Sequence, residues 1–211
     1  RRYFRNRQRN MLLVRCVKPQ QVDEVLSGIA KDFDPQRHLL ASICAGVATA
    51  RLEQHLPAGA QTGRVMPNTP MLVGLGAACI CAGQHAGEPE LAEGVALFSS
   101  AALVLRVKET MMDAVTGLSG SGPAYLFYLV EAMTDAGVAE GFTREDALKL
   151  AVRTCLGAAK MLLEGGRHPA ELKDTVTSPG GTTIAGLHAL ERGGLRGIVM
   201  EAVEAATIRS R

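Results

Sequence analysis

The run Thr175-Val176-Thr177-Ser178-Pro179-Gly180-Gly181-Thr182-Thr183 stands directly before a predicted helix, Ile184 to Leu190. Two adjacent glycines let a backbone approach a ligand closely, and the N–H groups that open a helix attract an anion. Ser178, Thr182 and Thr183 add neutral hydroxyls suited to a carboxylate or an uncharged ring atom. The pattern is that of a cradle for a small carboxylate; a Gly-rich turn capped by Thr is the plainer reading of the same residues. A second run, Gly117-Leu118-Ser119-Gly120-Ser121-Gly122-Pro123, breaks two helical stretches. It fails the GxSxG pattern, because the fifth residue is Ser121, and no His and Asp are evidently paired with it, so serine-hydrolase chemistry is set aside in favour of close helix packing. Neither CxxC nor HExxH occurs and the five His are scattered, so no metal site is expected.

The elements that would position these residues fall into two parts. Met11 to Val17 reads as a strand ending at Lys18-Pro19, and Val22, Val25, Leu26 and Ile29 mark one apolar helix face. An apolar strand, Leu39 to Ala45, is closed by Gly46; a short helix near Ala48 to Leu56 and a strand Thr62 to Met66 follow, before Pro67-Asn68-Thr69-Pro70. Strands at Ala77 to Ala82 and Leu103 to Val107, with a helix at Pro89 to Ala101 between them, complete the alternation. That order predicts a largely parallel, doubly wound sheet over residues 11–108. The strand ends at Lys18-Pro19, Ala45-Gly46 and Pro67 to Pro70 should open on its carboxyl edge, where such sheets bind ligands. From residue 109 to 211 strand-like runs disappear. Ser121 to Ala139 and Thr143 to Leu163 read as long helices, with Thr143 as N-cap and Gly165-Gly166 as a stop, and Leu195 to Ile208 reads as another helix. The second helix is apolar round most of its circumference, which calls for a second copy of the chain as cover.

Residues 1–10 hold five Arg and no acid, so of 23 basic residues 18 remain against 21 acidic ones, a net −3 for the rest. A slightly acidic body gives no electrostatic reason to expect nucleic-acid binding. The arm reads as a disordered segment at a sequence boundary rather than as a targeting signal, since Met11 to Val14 is too short for a signal core. No apolar stretch reaches the roughly 20 residues of a membrane span. Five Cys, an odd count in apolar contexts, read as buried thiols in a reducing compartment, which places the protein in the cytoplasm.

In order along the chain, Val17-Lys18-Pro19, Ala45-Gly46-Val47, Met66-Pro67-Asn68-Thr69-Pro70, Thr116 to Tyr125, and Leu172 through Ser178-Pro179-Gly180-Gly181-Thr182-Thr183 to Glu191 resemble pyrroline-5-carboxylate reductase from about Met11 onward. The resemblance implies NAD(P)H-dependent reduction of 1-pyrroline-5-carboxylate to L-proline, the last step of proline biosynthesis. It also implies a Rossmann-type α/β domain joined to an all-helical domain that forms a homodimer, often assembled further into rings. By resemblance, Cys16, Val17, Lys18, Pro19, Ile43, Cys44, Ala45, Gly46 and Asn68 line the NADPH or NADH side. Glu109, Thr116, Val176, Gly180, Gly181, Thr182 and Thr183 line the substrate side, with Ser178 and Thr183 as the catalytic pair. Thr183 would hydrogen-bond the ring nitrogen, and the N–H groups from Gly181 to Thr183 would hold the carboxylate.

Family members open with a βαβ segment bearing GxGxxG, which this sequence lacks; Arg1 to Asn10 stands where that segment should be ending. The Rossmann part is therefore expected to be incomplete, without its pyrophosphate clamp. Arg15 stands where the family carries an apolar residue, and Thr175 replaces its usual Asn. The rival reading is an inactive fragment or pseudoenzyme that keeps the dimerising helices.

Overall fold

The computed structural model describes the backbone of residues 10–14 and the whole of residues 21–211; the Arg-rich start, Arg15, Cys16, Val17, Lys18 and Pro19 lie outside the described residues. These fall into two compact units, one running to Pro123 and including Val203–Arg211, the other Ala124–Ala202.

The first unit alternates strands and helices. Its elements are β1 (Asn10–Val14), α1 (Val22–Ile29), β2 (His38–Ser42), α2 (Thr49–Glu53), β3 (Gln61–Pro67), β4 (Gly76–Ala82), α3 (Glu88–Phe98), β5 (Ala102–Arg106) and α4 (Met112–Val115). The strands form one sheet in the order β1-β2-β3-β4-β5. Three of its four pairings are parallel, with Leu12 opposite Leu40 and Leu40 opposite Thr62. The β3–β4 pairing is antiparallel, with Arg64 opposite Cys81, so the sheet is largely parallel, as the alternation implied, with one reversed pairing. The cause is the connection: only eight residues separate Pro67 from Gly76, too few for a parallel crossover. The described strands also follow one another in a single direction, without the reversal that a doubly wound order would show.

Helices cover both faces of this sheet. Side chains of a strand alternate between faces, so the neighbours Leu40 and Ala41 enter different cores. Leu40 packs with Val22, Leu26, Val47 and Leu52 beneath α1 and α2, whereas Ala41 joins Val65, Ala78, Ile80 and Phe98 beneath α3. A third cluster, Cys79, Cys81 and Met112, packs α4 onto the sheet. Cys44, Cys79 and Cys81 are buried, but Cys155 is only half-buried.

The Gly/Ser run after α4 is not a break. Thr116–Gly120 continues α4 as a π-helical turn, in which the Ser121 N–H donates to the Thr116 carbonyl at 2.8 Å. Gly117 lies against the last turns of the chain: a Cβ there would stand 2.6 Å from the Val203 carbonyl and 3.0 Å from the Thr207 nitrogen. Only glycine fits that contact.

The second unit is all helix: α5 (Gly122–Ala139, entering it at Ala124), α6 (Arg144–Gly165), α7 (Pro169–Thr175), α8 (Thr182–Arg192) and most of α9 (Leu195–Ser210). The α6 boundaries follow the sequence signals, since the Asp146 N–H donates to the Thr143 hydroxyl at 3.1 Å and Gly166 ends the helix in the left-handed region at φ 59°. Few residues are buried within this unit, namely Thr134, Ala147 and Ala151. Phe127, Leu150, Met161, Leu163 and Met200 are exposed, Leu163 by 80%. Apolar residues displayed on α5, α6 and α9 leave the unit without a closed core of its own.

Candidate active site

At the carboxyl end of β2 the chain turns outward. Ile43 packs toward the α3 side and Cys44 is buried beneath α1, so any ligand contact from these two runs through their backbone. Ala45 and Gly46 are exposed. β3 leaves the same edge at Pro67, where the Asn68 side chain acts as a staple. Its Oδ1 accepts from the Ala77 N–H at 2.8 Å, and its Nδ2 donates to the Ser119 carbonyl at 3.2 Å. The Thr116 hydroxyl donates to the Met112 carbonyl at 2.9 Å, a bond along its own helix.

Glu109 is the best-defined polar centre of the α/β unit. Its Oε1 accepts from the Thr49 N–H at 2.7 Å and from Arg64 Nη1 at 3.1 Å, while its Oε2 accepts from the Thr49 hydroxyl at 2.6 Å. Burial pushes its pKa up, but the Thr49 donors and the Arg64 guanidinium outweigh that and hold it below the ordinary carboxylate range. Arg64 projects from β3 with its side chain only 8% exposed. Its Nε is enclosed and has no hydrogen-bond partner among the described residues. Burial first, and the Glu109 charge second, push the Cys81 thiol up. The sequence reading missed Thr49 and Arg64. The available signal was a lone charge inside the apolar strand Thr62 to Met66.

In the helical unit the candidate loop lies between α7 and α8. Gly180 takes the left-handed conformation at φ 67°. A Cβ on Gly181 would displace the Ser178 hydroxyl and stand 3.2 Å from the Ser178 carbonyl, so glycine lets that hydroxyl sit over the turn. The two glycines thus have separate causes. The Gly181 N–H donates to the Ser178 carbonyl at 3.1 Å, so it is spent inside the turn. The amides left to open α8 are those of Thr182, Thr183 and Ile184, and no side chain caps them. Ser178, Val176, Gly180 and Thr182 are exposed and Thr183 is half-buried. The Thr175 hydroxyl is used locally, donating to the Leu172 carbonyl at 2.6 Å.

A Rossmann-type α/β unit followed by an all-helical unit is the class that this architecture defines. Residues 109–211 match the model of the pyrroline-5-carboxylate reductase dimerisation family. The chain is 47% identical over 200 residues to a pyrroline-5-carboxylate reductase of Methanosarcina acetivorans, covering 95% of this chain and 74% of that protein. It is 46% identical to one of Arabidopsis thaliana, covering 95% and 72%. Among solved structures, a Plasmodium falciparum pyrroline carboxylate reductase with NADP bound superposes with a TM-score of 0.86 at 36% identity, covering 92% of this chain and 78% of that one. The chain belongs to the pyrroline-5-carboxylate reductase family. Among the described residues no helix is long and apolar enough to cross a membrane, and no group of three His, Cys, Asp or Glu is placed to hold a metal ion.

Proposed function

We propose that the protein reduces 1-pyrroline-5-carboxylate to L-proline with NADPH or NADH, as a homodimer in the cytoplasm. The observation that carries this reading is the α8 entrance: open amides and two threonine hydroxyls behind a glycine pair whose first member takes the left-handed conformation, in a chain of this family. It favours the enzyme over the inactive fragment. The exposed apolar residues of the helical unit support the dimer, because their burial against a second copy supplies the core that one copy lacks.

The carboxyl edge fits a dinucleotide. β1, β2 and β3 run parallel, and Ala45 and Gly46 stand exposed at the end of β2, the place where open α/β sheets take such cofactors. Ile43, Cys44, Ala45, Gly46 and Asn68, with Cys16 to Pro19, are assigned to hold it. NAD(P)H supplies the hydride when bound. The chain's own task is positioning. The Thr182 and Thr183 amides hold the substrate carboxylate at the α8 start, and the Thr183 hydroxyl meets the ring nitrogen as that atom gains electron density. Ser178, Val176, Gly180 and Gly181 shape the loop around the ring. Thr116 and Glu109 are the contributions assigned to the α/β unit, Glu109 as an anion that favours a protonated, more electrophilic imine. The functional division between a cofactor part and a substrate and dimer part is assigned to residues 108–109, inside the compact unit that runs to Pro123.

The test is Thr183→Ala. A helix cap lost to Ala costs about 1 kcal/mol and leaves the chemistry of folded enzyme intact. A hydroxyl that meets the ring nitrogen behaves differently: kcat/KM should fall roughly 10 to 100-fold with cofactor affinity unchanged, and Thr183→Ser should restore much of it. An Ala variant with wild-type kcat/KM and a lowered melting temperature would remove Thr183 from the site.

A further inference from the structure

A buried arginine in a sheet calls for a reason beyond stability. Replacing a buried ion pair by well-packed apolar residues is often neutral or stabilising. Arg64 also leaves its enclosed Nε without a partner among the described residues, which costs stability rather than adding to it. What the arginine gains is the orientation of one carboxylate. We propose that Arg64 and Thr49 are positioning residues that fix the Glu109 carboxylate for catalysis, three donors holding both oxygens and leaving one acceptor position on Oε2 for the substrate.

The count follows from the geometry. A carboxylate offers about four acceptor positions. Thr49 N–H and Arg64 Nη1 occupy two on Oε1, and the Thr49 hydroxyl occupies one on Oε2. The three segments that meet here are the start of α2, the middle of β3 and the turn that follows β5. Rotation of the side chain would break all three bonds, and a proton taking the remaining Oε2 position would weaken them, because donors bind a charged carboxylate more strongly than a neutral carboxyl. The titratable and charged groups facing Glu109 are Arg64 from β3 and Cys81 from β4, and α2 contributes the Thr49 donors. Loss of Arg64 therefore raises the pH at which Glu109 takes up a proton. The inference rests on the assignment of Glu109 to the substrate made above. The bland alternative is that Glu109 merely caps α2 and neutralises Arg64.

A double-mutant cycle on the full chain separates the two, with reduction of 1-pyrroline-5-carboxylate followed across the acid and neutral range. Glu109→Gln should lower kcat/KM roughly 10 to 100-fold. Arg64→Met should lower it comparably and move the acid limb of the profile to higher pH. The double variant should fall within about threefold of Glu109→Gln alone, since Arg64 then has nothing to position. Losses that multiply, or an acid limb unmoved in Arg64→Met, overturn the inference while Glu109 keeps its place at the substrate. A Glu109→Gln variant with wild-type kcat/KM overturns both the inference and the Glu109 assignment, leaving the Thr183 assignment to its own test. Titration of the carbon-13-labelled Glu109 carboxyl needs no turnover, and an identical curve in Arg64→Met also overturns the inference. Where Arg64→Met does not fold, Thr49→Val removes the hydroxyl donor and keeps the amide. It should shift the acid limb in the same direction by a smaller amount, Thr49→Ser should reverse it, and no shift in Thr49→Val overturns the proposal.

Discussion

In the α/β unit Leu26, Leu40, Val47 and Leu52 are fully buried between sheet and helices, whereas in the helical unit Leu150, Met161, Leu163 and Met200 lie open on α6 and α9. The helices are no less regular than the sheet. α6 has its cap, its glycine stop and a glycine-on-alanine contact to α5, where a Cβ on Gly137 would stand 2.9 Å from that of Ala147. Local order and a closed core are thus separate achievements. One unit reaches both alone, and the other reaches the second only with a second copy.

The largest effect that would break this contrast comes from Leu156, about half exposed on α6. Leu156→Arg should dissociate or unfold the protein, since an unpaired charge buried in the dimer costs on the order of 3 to 5 kcal/mol. Sedimentation showing an intact dimer would contradict the assignment of that face. Leu40→Ala is the counterpart in the sheet. It should cost about 2 to 5 kcal/mol in thermal unfolding while the surviving folded protein keeps its oligomeric state. Gly117→Ala should destabilise by about 1 to 3 kcal/mol, because the added methyl meets the Val203 carbonyl and Thr207. A variant as stable as the parent would show that the close approach is not required. Thr143→Ala should cost about 1 kcal/mol through loss of the α6 cap, read as a small fall in melting temperature.

The smallest effect is a pH dependence that belongs to the sheet. Glu109 in the folded protein titrates below its ordinary value of 4.5. Its contribution to stability is therefore full above that value and is lost as pH falls through the lower, folded one. Glu109→Gln should flatten this acid-side loss in urea titrations, whereas Leu163→Ala should leave its shape unchanged.

Periodicity carried most of the fold. Val22, Val25, Leu26 and Ile29 give α1 its bounds, and Thr143 with Gly166 gives those of α6. Strand direction was not legible in the same way, because a continuous apolar run such as Ala77 to Ala82 reads identically in either sense. The short link from Pro67 to Gly76 held the information instead. The π-turn at Thr116–Gly120 was invisible, since its Gly and Ser content describes a helix break equally well. In the candidate site, the run from Ser178 to Thr183 was recognisable from its glycines and hydroxyls, yet the loss of the Gly181 N–H to the turn was not. The Glu109 centre draws on residues 49, 64 and 109, and no local pattern joins positions so far apart.

The return of Val203–Arg211 to the first unit has a consequence for synthesis on the ribosome. The strands add to the sheet in the order in which they are made, each beside its predecessor, so β1 to β5 can assemble as the chain emerges. The groove that receives the end of α9 cannot be filled at that stage. Gly117 waits for Val203 and Thr207, Gly46 for the Ser210 carbonyl at 3.0 Å from where a Cβ would be, and Asp113 for the Ser210 hydroxyl at 2.8 Å. The unit made first is therefore completed last, after every helix of the second unit has left the tunnel, and a nascent sheet carries an open seam throughout that interval.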